Sequence, residues 1–85
     1  MEASARYKCE CCGYWTLSSR GMYEICPVCR WEDDPTGQRD GPDTHSGPNH
    51  MSINEARRNF ARFGAISEER RKHAREPATD ELDGK

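Results

Sequence analysis

Five cysteines stand between residues 9 and 29, and four of them form two Cys-x-x-Cys pairs, Cys9 with Cys12 and Cys26 with Cys29. Two pairs at this separation are the sequence form of a four-thiolate metal site. Two intervening residues let the chain curl so that both sulfurs of a pair reach one ion. Four sulfurs at about 2.3 Å then complete a tetrahedron around Zn²⁺. Gly13 follows Cys12 where a tight turn needs a positive φ, and Pro27 stiffens the turn of the second pair. The ligands read from this spacing are Cys9, Cys12, Cys26 and Cys29. Cys11 is the odd thiol and is taken as a bystander.

The elements that must position these sulfurs are small. The chain has 85 residues, 33% of them hydrophobic and 33% charged. That is one domain with too modest a core to stand alone, for which a structural metal is a common remedy. Tyr14–Leu17 and Met22–Ile25 read as two strands joined by the turn 18–21, a hairpin linking two knuckles as in a zinc ribbon. Trp31 is expected in the core. Residues 32–50 read as a Gly/Pro/Asp-rich loop without helix or strand. Ser52 caps a helix, with Glu55 completing a capping box. Ile53, Ala56, Phe60 and Phe63 share its apolar face, and Gly64 ends it. That face is expected against Trp15, Tyr23 or Trp31, with both phenylalanines buried. A second helix is expected from Ser67 to about Glu76, stopped by Pro77. No internal repeat is visible. The expected fold is a small metal-bound α+β domain: a zinc-ribbon hairpin with two knuckles, then one or two helices, over residues 6–76, with 1–5 and 77–85 disordered.

No signal-like apolar run and no long apolar stretch occurs, so neither export nor a membrane span is expected. An odd cysteine count fits a disulfide framework poorly and points to a reducing compartment, the cytoplasm. Charge is polarised. Residues 32–43 carry Glu32, Asp33, Asp34, Asp40 and Asp43 against Arg39, and residues 57–75 carry seven basic side chains against Glu68 and Glu69. The five acids form the expected docking surface for a basic protein partner. The basic run is the feature a nucleic-acid reading would use. His45 and His50 read as exposed loop histidines, since nothing there would fix them as ligands. No catalytic constellation is found, and four thiolates leave the metal no open position, so no enzymatic activity is expected.

The run Cys9-x-Cys11-Cys12-Gly13-Tyr14, then Tyr23-Glu24-Ile25-Cys26-Pro27-Val28-Cys29-x-Trp31-Glu32-Asp33-Asp34, resembles the bacterial cysteine-rich CPCC family. Ser52-Ile53-Asn54-Glu55-Ala56-Arg57, with Asn59-Phe60 and Phe63-Gly64, is similar to that family's downstream helix. The resemblance spans about residues 7–66. Glu10 stands where the family has proline, which loosens the first knuckle but removes no sulfur. The resemblance implies a small metal-binding protein whose role is immunity to a toxin or other partner binding. The cysteine pairs also resemble those of rubredoxin, an iron electron carrier, but Arg30 stands where rubredoxin has its second glycine and the pairs lie closer together.

Overall fold

Two turns of one construction hold the cysteine pairs. In the computed structural model, which describes residues 6–82, the Cys9 amide donates to the Tyr14 carbonyl (2.8 Å) and the Gly13 amide to the Cys9 carbonyl (2.9 Å). The second pair repeats this: the Cys26 amide donates to the Trp31 carbonyl (2.9 Å) and the Arg30 amide to the Cys26 carbonyl (2.8 Å). The residue after each pair is left-handed, Gly13 at φ 82° and Arg30 at φ 76°. Glycine adopts this conformation freely, whereas a side chain there costs about 1–2 kcal/mol. The chain therefore does contain a repeat, a duplicated knuckle, which Arg30 in the place of glycine had disguised.

The expected zinc-ribbon hairpin is not found. Among the described residues there is no sheet, only three isolated antiparallel bridges: Tyr7–Leu17, Ile25–Glu32 and Ser46–Met51. The first two each close one knuckle on itself instead of joining the two. Tyr23, at φ 64°, interrupts the extended run. Its amide donates to the Asp33 carbonyl (3.1 Å) and the Asp33 amide to the Glu24 carbonyl (2.9 Å). Residues 23–25 thus pair with residues 32–33, not with 14–17.

Residues 32–50 are more ordered than a plain loop. They hold a short helix, α1 (Thr36–Asp40). The Asp34 carboxylate sets its start, accepting from the Thr36 amide (3.0 Å) and hydroxyl (2.8 Å). Its other oxygen accepts from the Ser46 hydroxyl (2.6 Å). Asn49 mimics a strand partner: its carbonyl oxygen accepts from the Glu32 amide (2.8 Å) and its NH₂ donates to the Glu32 carbonyl (2.9 Å). Burial works against the Asp34 carboxylate, but the hydrogen bonds from Ser46 and Thr36 outweigh it and hold its pKa below the ordinary range.

Helix α2 (Ile53–Phe63) follows the sequence expectation. The Ser52 side chain accepts from the Glu55 amide (3.1 Å). Gly64, left-handed at φ 76°, ends the helix. Ile53 and Ala56 are buried, whereas Phe60 and Phe63 are only half-buried, contrary to expectation. Phe60 meets Tyr14 edge-on, ring centroids 6.5 Å apart, and Tyr23 is exposed rather than packed beneath the helix. Ala65 and Ile66 fill the space assigned to the phenylalanines. Both are buried, and the Ile66 amide donates to the Cys29 carbonyl (2.9 Å), which fastens the end of α2 to the second knuckle.

Beyond Ser67, which caps the Arg70 amide (3.1 Å), the chain forms a 3₁₀ turn at Glu69–His73 rather than a helix to residue 76. With no apolar face, no packing lengthens it. Of the tail expected to be disordered, residues 77–82 are described, while residues 1–5 and 83–85 lie outside the described residues. A second 3₁₀ turn, Thr79–Glu81, straps the C-terminal segment over the first knuckle. The Glu81 carbonyl accepts from the Trp15 amide (2.8 Å). Its buried carboxylate takes a bidentate bond from Arg75 (2.9 and 2.9 Å) and one from the Ala78 amide (2.8 Å).

Arg75 above all, and then the Ala78 amide, hold the Glu81 carboxyl below its ordinary pKa against the opposing effect of burial. A depressed carboxylate stabilises the fold above its unfolded pKa and loses that contribution as pH falls. Glu81→Gln is expected to cost about 2 kcal/mol near neutrality. The gap in Tm between parent and variant, both metal-loaded, should be constant above about pH 6 and narrow as pH falls past about 4.3. A gap that widens in acid would contradict the assigned role.

Candidate metal centre

The duplicated knuckle presents its cysteines inward from both sides. The sulfurs of Cys9, Cys12, Cys26 and Cys29 all lie within 4.8 Å of one another. Two contacts cross between knuckles: Cys9 to Cys29 at 3.6 Å and Cys12 to Cys26 at 3.7 Å. A tetrahedron with metal–sulfur bonds of about 2.3 Å has edges of about 3.8 Å. The four sulfurs therefore sit at the spacing one tetrahedral ion requires. Cys9, Cys26 and Cys29 are buried and Cys12 is half-buried. They form one cluster with Leu17, Val28, Trp31, Ile53, Ala56 and Ile66, so the metal centre and the hydrophobic core are the same place.

The electrostatics call for a cation. Hydrogen bonds from Cys12, Cys29 and Cys9, with a lesser one from Thr16, favour a thiolate at Cys26 and lower its pKa far below the ordinary range. The other three thiols are pushed upward: Cys12 chiefly by Cys26, Cys9 chiefly by Cys12, and Cys29 chiefly by Cys11. Crowded together, the four sulfurs disfavour one another's ionisation. A divalent ion supplies the positive charge that lets all four ionise.

The surroundings include residues that spacing could not reveal. The Thr16 hydroxyl lies 3.0 Å from the Cys26 sulfur, and the Trp31 amide donates to the Cys29 sulfur at 3.4 Å. The Trp31 position is foreshadowed, since a residue two past a knuckle cysteine commonly directs its N–H at the sulfur. Thr16 carries no such signal. Cys11 is buried and belongs to the hydrophobic cluster, but its sulfur is not one of the four gathered sulfurs. His45 and His50 are exposed and outside that group.

The five acids read as a docking surface do not share one exposed face. Asp33 and Asp34 are 1% and 3% exposed. Asp33 accepts from the Gly21 amide (2.6 Å) and lies 3.5 Å from Arg20, while Asp34 organises α1 and Ser46. Their carboxylates face inward because N–H and O–H groups need acceptors, those of Thr36 and Ser46 in the loop for Asp34 and that of Gly21 between the knuckles for Asp33. Glu32 is half-buried, and only Asp40 and Asp43 are exposed. Those two are engaged with Arg39 (3.2 Å) and Asn54 (3.0 Å) respectively. The turn signature Asp34-Pro35-Thr36 could have announced the inward role of Asp34.

A tetracysteine domain built on two like knuckles defines a small metal-binding class. The family model for cysteine-rich CPCC proteins matches residues 7–81, and the chain belongs to that family. The match includes the C-terminal strap and so extends past the helix on which the sequence resemblance ended. No curated protein matches the chain. Among the described residues no helix is long and apolar enough to cross a membrane.

Proposed function

We propose that this protein is a zinc-stabilised, non-catalytic module that binds another protein. The observation that carries the reading is the connector between the knuckles. Met22, Tyr23 and Ile25 are 70%, 51% and 42% exposed, in a chain with few large apolar residues to give its core. Tyr23 also adopts a left-handed backbone at φ 64°, a strained conformation held by pairing with Asp33. Exposed apolar side chains on a strained, hydrogen-bonded loop beside a rigid centre are a common form of recognition surface. The closed set of four thiolates supports a structural ion, since a catalytic zinc keeps a position open. An odd cysteine count accords with a reducing compartment.

Zinc is favoured over iron because few donors surround the sulfurs, whereas electron carriers tune their potential through such bonds. The glycine argument against iron has less force, since Arg30 adopts the left-handed turn regardless. Elemental analysis of the purified protein is expected to return one zinc per chain, and an iron-dependent visible spectrum would replace this part of the reading. For binding, a Met22→Ser/Tyr23→Ser variant should keep its metal and its fold. It should lose at least tenfold in affinity for the protein that co-purifies with the parent from its own cells. Unchanged affinity would remove the connector as the docking surface. Salt-sensitive binding to duplex DNA that depends on Arg58, Arg62, Arg71 and Lys72, all exposed, would favour the nucleic-acid reading instead.

A further inference from the structure

A cleft of about 510 Å³ opens beside the first knuckle. Its charged lining is Lys8, Arg20 and Arg57 against one carboxylate, Glu10, with Gln38 of α1 as a neutral polar wall. The two guanidiniums are held in place by the protein. Arg20 donates to the Lys8 carbonyl (2.6 Å) and lies over the Tyr7 ring, 5.7 Å from its centroid. Arg57 donates to the Glu10 carbonyl (2.9 Å) and to the Asn54 side chain (3.2 Å). Neither arrangement uses all the donors of its guanidinium. The Nη1 of Arg20 is buried without a hydrogen-bond acceptor. Its nearest acids, Asp33 and Glu10, stand at 3.5 and 3.7 Å, too far for good hydrogen bonds. Lys8 is exposed, and no acid among the described residues pairs with it.

We propose that this cleft binds a small oxyanion of the phosphate class, carried by a polar metabolite without an aromatic base. Arg57, fixed by the Glu10 carbonyl, keeps guanidinium donors in hand at little cost in ordering, and Arg20 adds a fixed positive charge beside it, which suits the tetrahedral oxygens of a phosphate. The ammonium of Lys8 adds a mobile third charge. No aromatic side chain lines the cleft, so a nucleobase would find no ring to stack on, whereas a phosphorylated sugar or a short polyphosphate meets the charged side chains and Gln38 beside the knuckle residues Cys9, Cys11, Cys12 and Gly13. The volume exceeds that of a lone phosphate ion and leaves space for such a scaffold. Glu10 tempers the site, and its carboxylate disfavours any second negative charge close to it. This ligand is separate from the protein partner proposed above, whose surface is the connector 22–25.

The test uses the full-length, metal-loaded protein and inorganic pyrophosphate as probe, followed by calorimetry and amide chemical shifts, with metal content measured before and after. Saturable one-to-one binding is expected, with shifts centred on residues 8–13, Arg20 and Arg57. Lys8→Gln/Arg57→Gln should weaken it at least tenfold, and Glu10→Gln should tighten it severalfold. Arg58→Gln, which removes an equal charge from the same helix outside the cleft, should leave it unchanged. Lys8→Gln alone removes an exposed side chain and keeps the test decisive if loss of Arg57 disturbs the first knuckle. Absence of saturable binding would overturn the proposal. So would an Arg58→Gln loss equal to that of Lys8→Gln, which is the mark of general attraction to a basic surface. Tighter, Arg58-dependent binding of a DNA duplex that excludes pyrophosphate would assign these charges to nucleic acid and would also overturn it.

Discussion

Removal of the bound metal is expected to unfold the protein, and replacement of Cys9, Cys12, Cys26 or Cys29 by serine to have the same result. The described chain has one helix longer than five residues, α2, and no sheet. The sulfurs and the apolar side chains packed around them join the two knuckles, since the bridges Tyr7–Leu17 and Ile25–Glu32 each close one knuckle separately. Binding of a thiolate-held ion in small domains contributes about 10–16 kcal/mol near neutral pH. The whole stability of an ordinary domain is only about 5–15 kcal/mol. Without the ion, four sulfurs crowded together at the heart of the core lose the cation that offsets their charge. Each of the four serine variants removes one of the gathered sulfurs. Cys11→Ser should retain metal and fold. Metal content, far-ultraviolet dichroism and amide dispersion measure all of this. A Cys26→Ser protein that is folded and fully metal-loaded would refute the ligand set.

Much of the centre was legible because metal ligation is written in residue type and short spacing. Two Cys-x-x-Cys pairs identify four sulfurs irrespective of what joins them. The helix was equally legible: Ser52, Glu55 and Gly64 are local signals that act within a turn of where they stand. What joins the knuckles was not. Tyr14–Leu17 and Met22–Ile25 have strand composition, and composition favours a hairpin between neighbouring segments. The pairing is decided by longer-range partners: Leu17 returns to Tyr7, and Ile25 turns forward to Glu32. The acidic run misled for a related reason. Aspartates in a Gly/Pro-rich segment look solvated, but a loop of nineteen residues, 32–50, contains many backbone donors. Asp34 and Asn49 satisfy some of them from within, and Asp33 turns inward to accept from the Gly21 amide between the knuckles. The strap was invisible because Arg75 and Glu81 meet through a turn with no apolar pattern.

Trp31→Ala is expected to destabilise the metal-loaded protein by about 3–5 kcal/mol, the usual cost of emptying a large aromatic site. Trp31 is 1% exposed and is the largest fully buried side chain. It lies two residues past Cys29, with its carbonyl bound to the Cys26 amide (2.9 Å) and its own amide directed at the Cys29 sulfur (3.4 Å). The ring belongs to the cluster that joins both knuckles to Ile53 and Ala56 of α2 and to Ile66. Loss of the ring leaves a cavity where the two knuckles meet α2, and little of the surrounding chain can collapse into it because the sulfurs are held by the ion. Phe60→Ala should cost clearly less, since Phe60 is half-buried and packs on the outside of that cluster. Trp31→Phe should be milder than Trp31→Ala for a further reason. The indole Nε1 is buried without an acceptor, and an unsatisfied buried donor costs about 1–3 kcal/mol. Phenylalanine removes that donor while keeping most of the apolar volume. Denaturant midpoints at saturating metal give the order of the three variants. If Phe60→Ala proved more damaging than Trp31→Ala, the helix face, and not the knuckle tryptophan, would be the centre of the core.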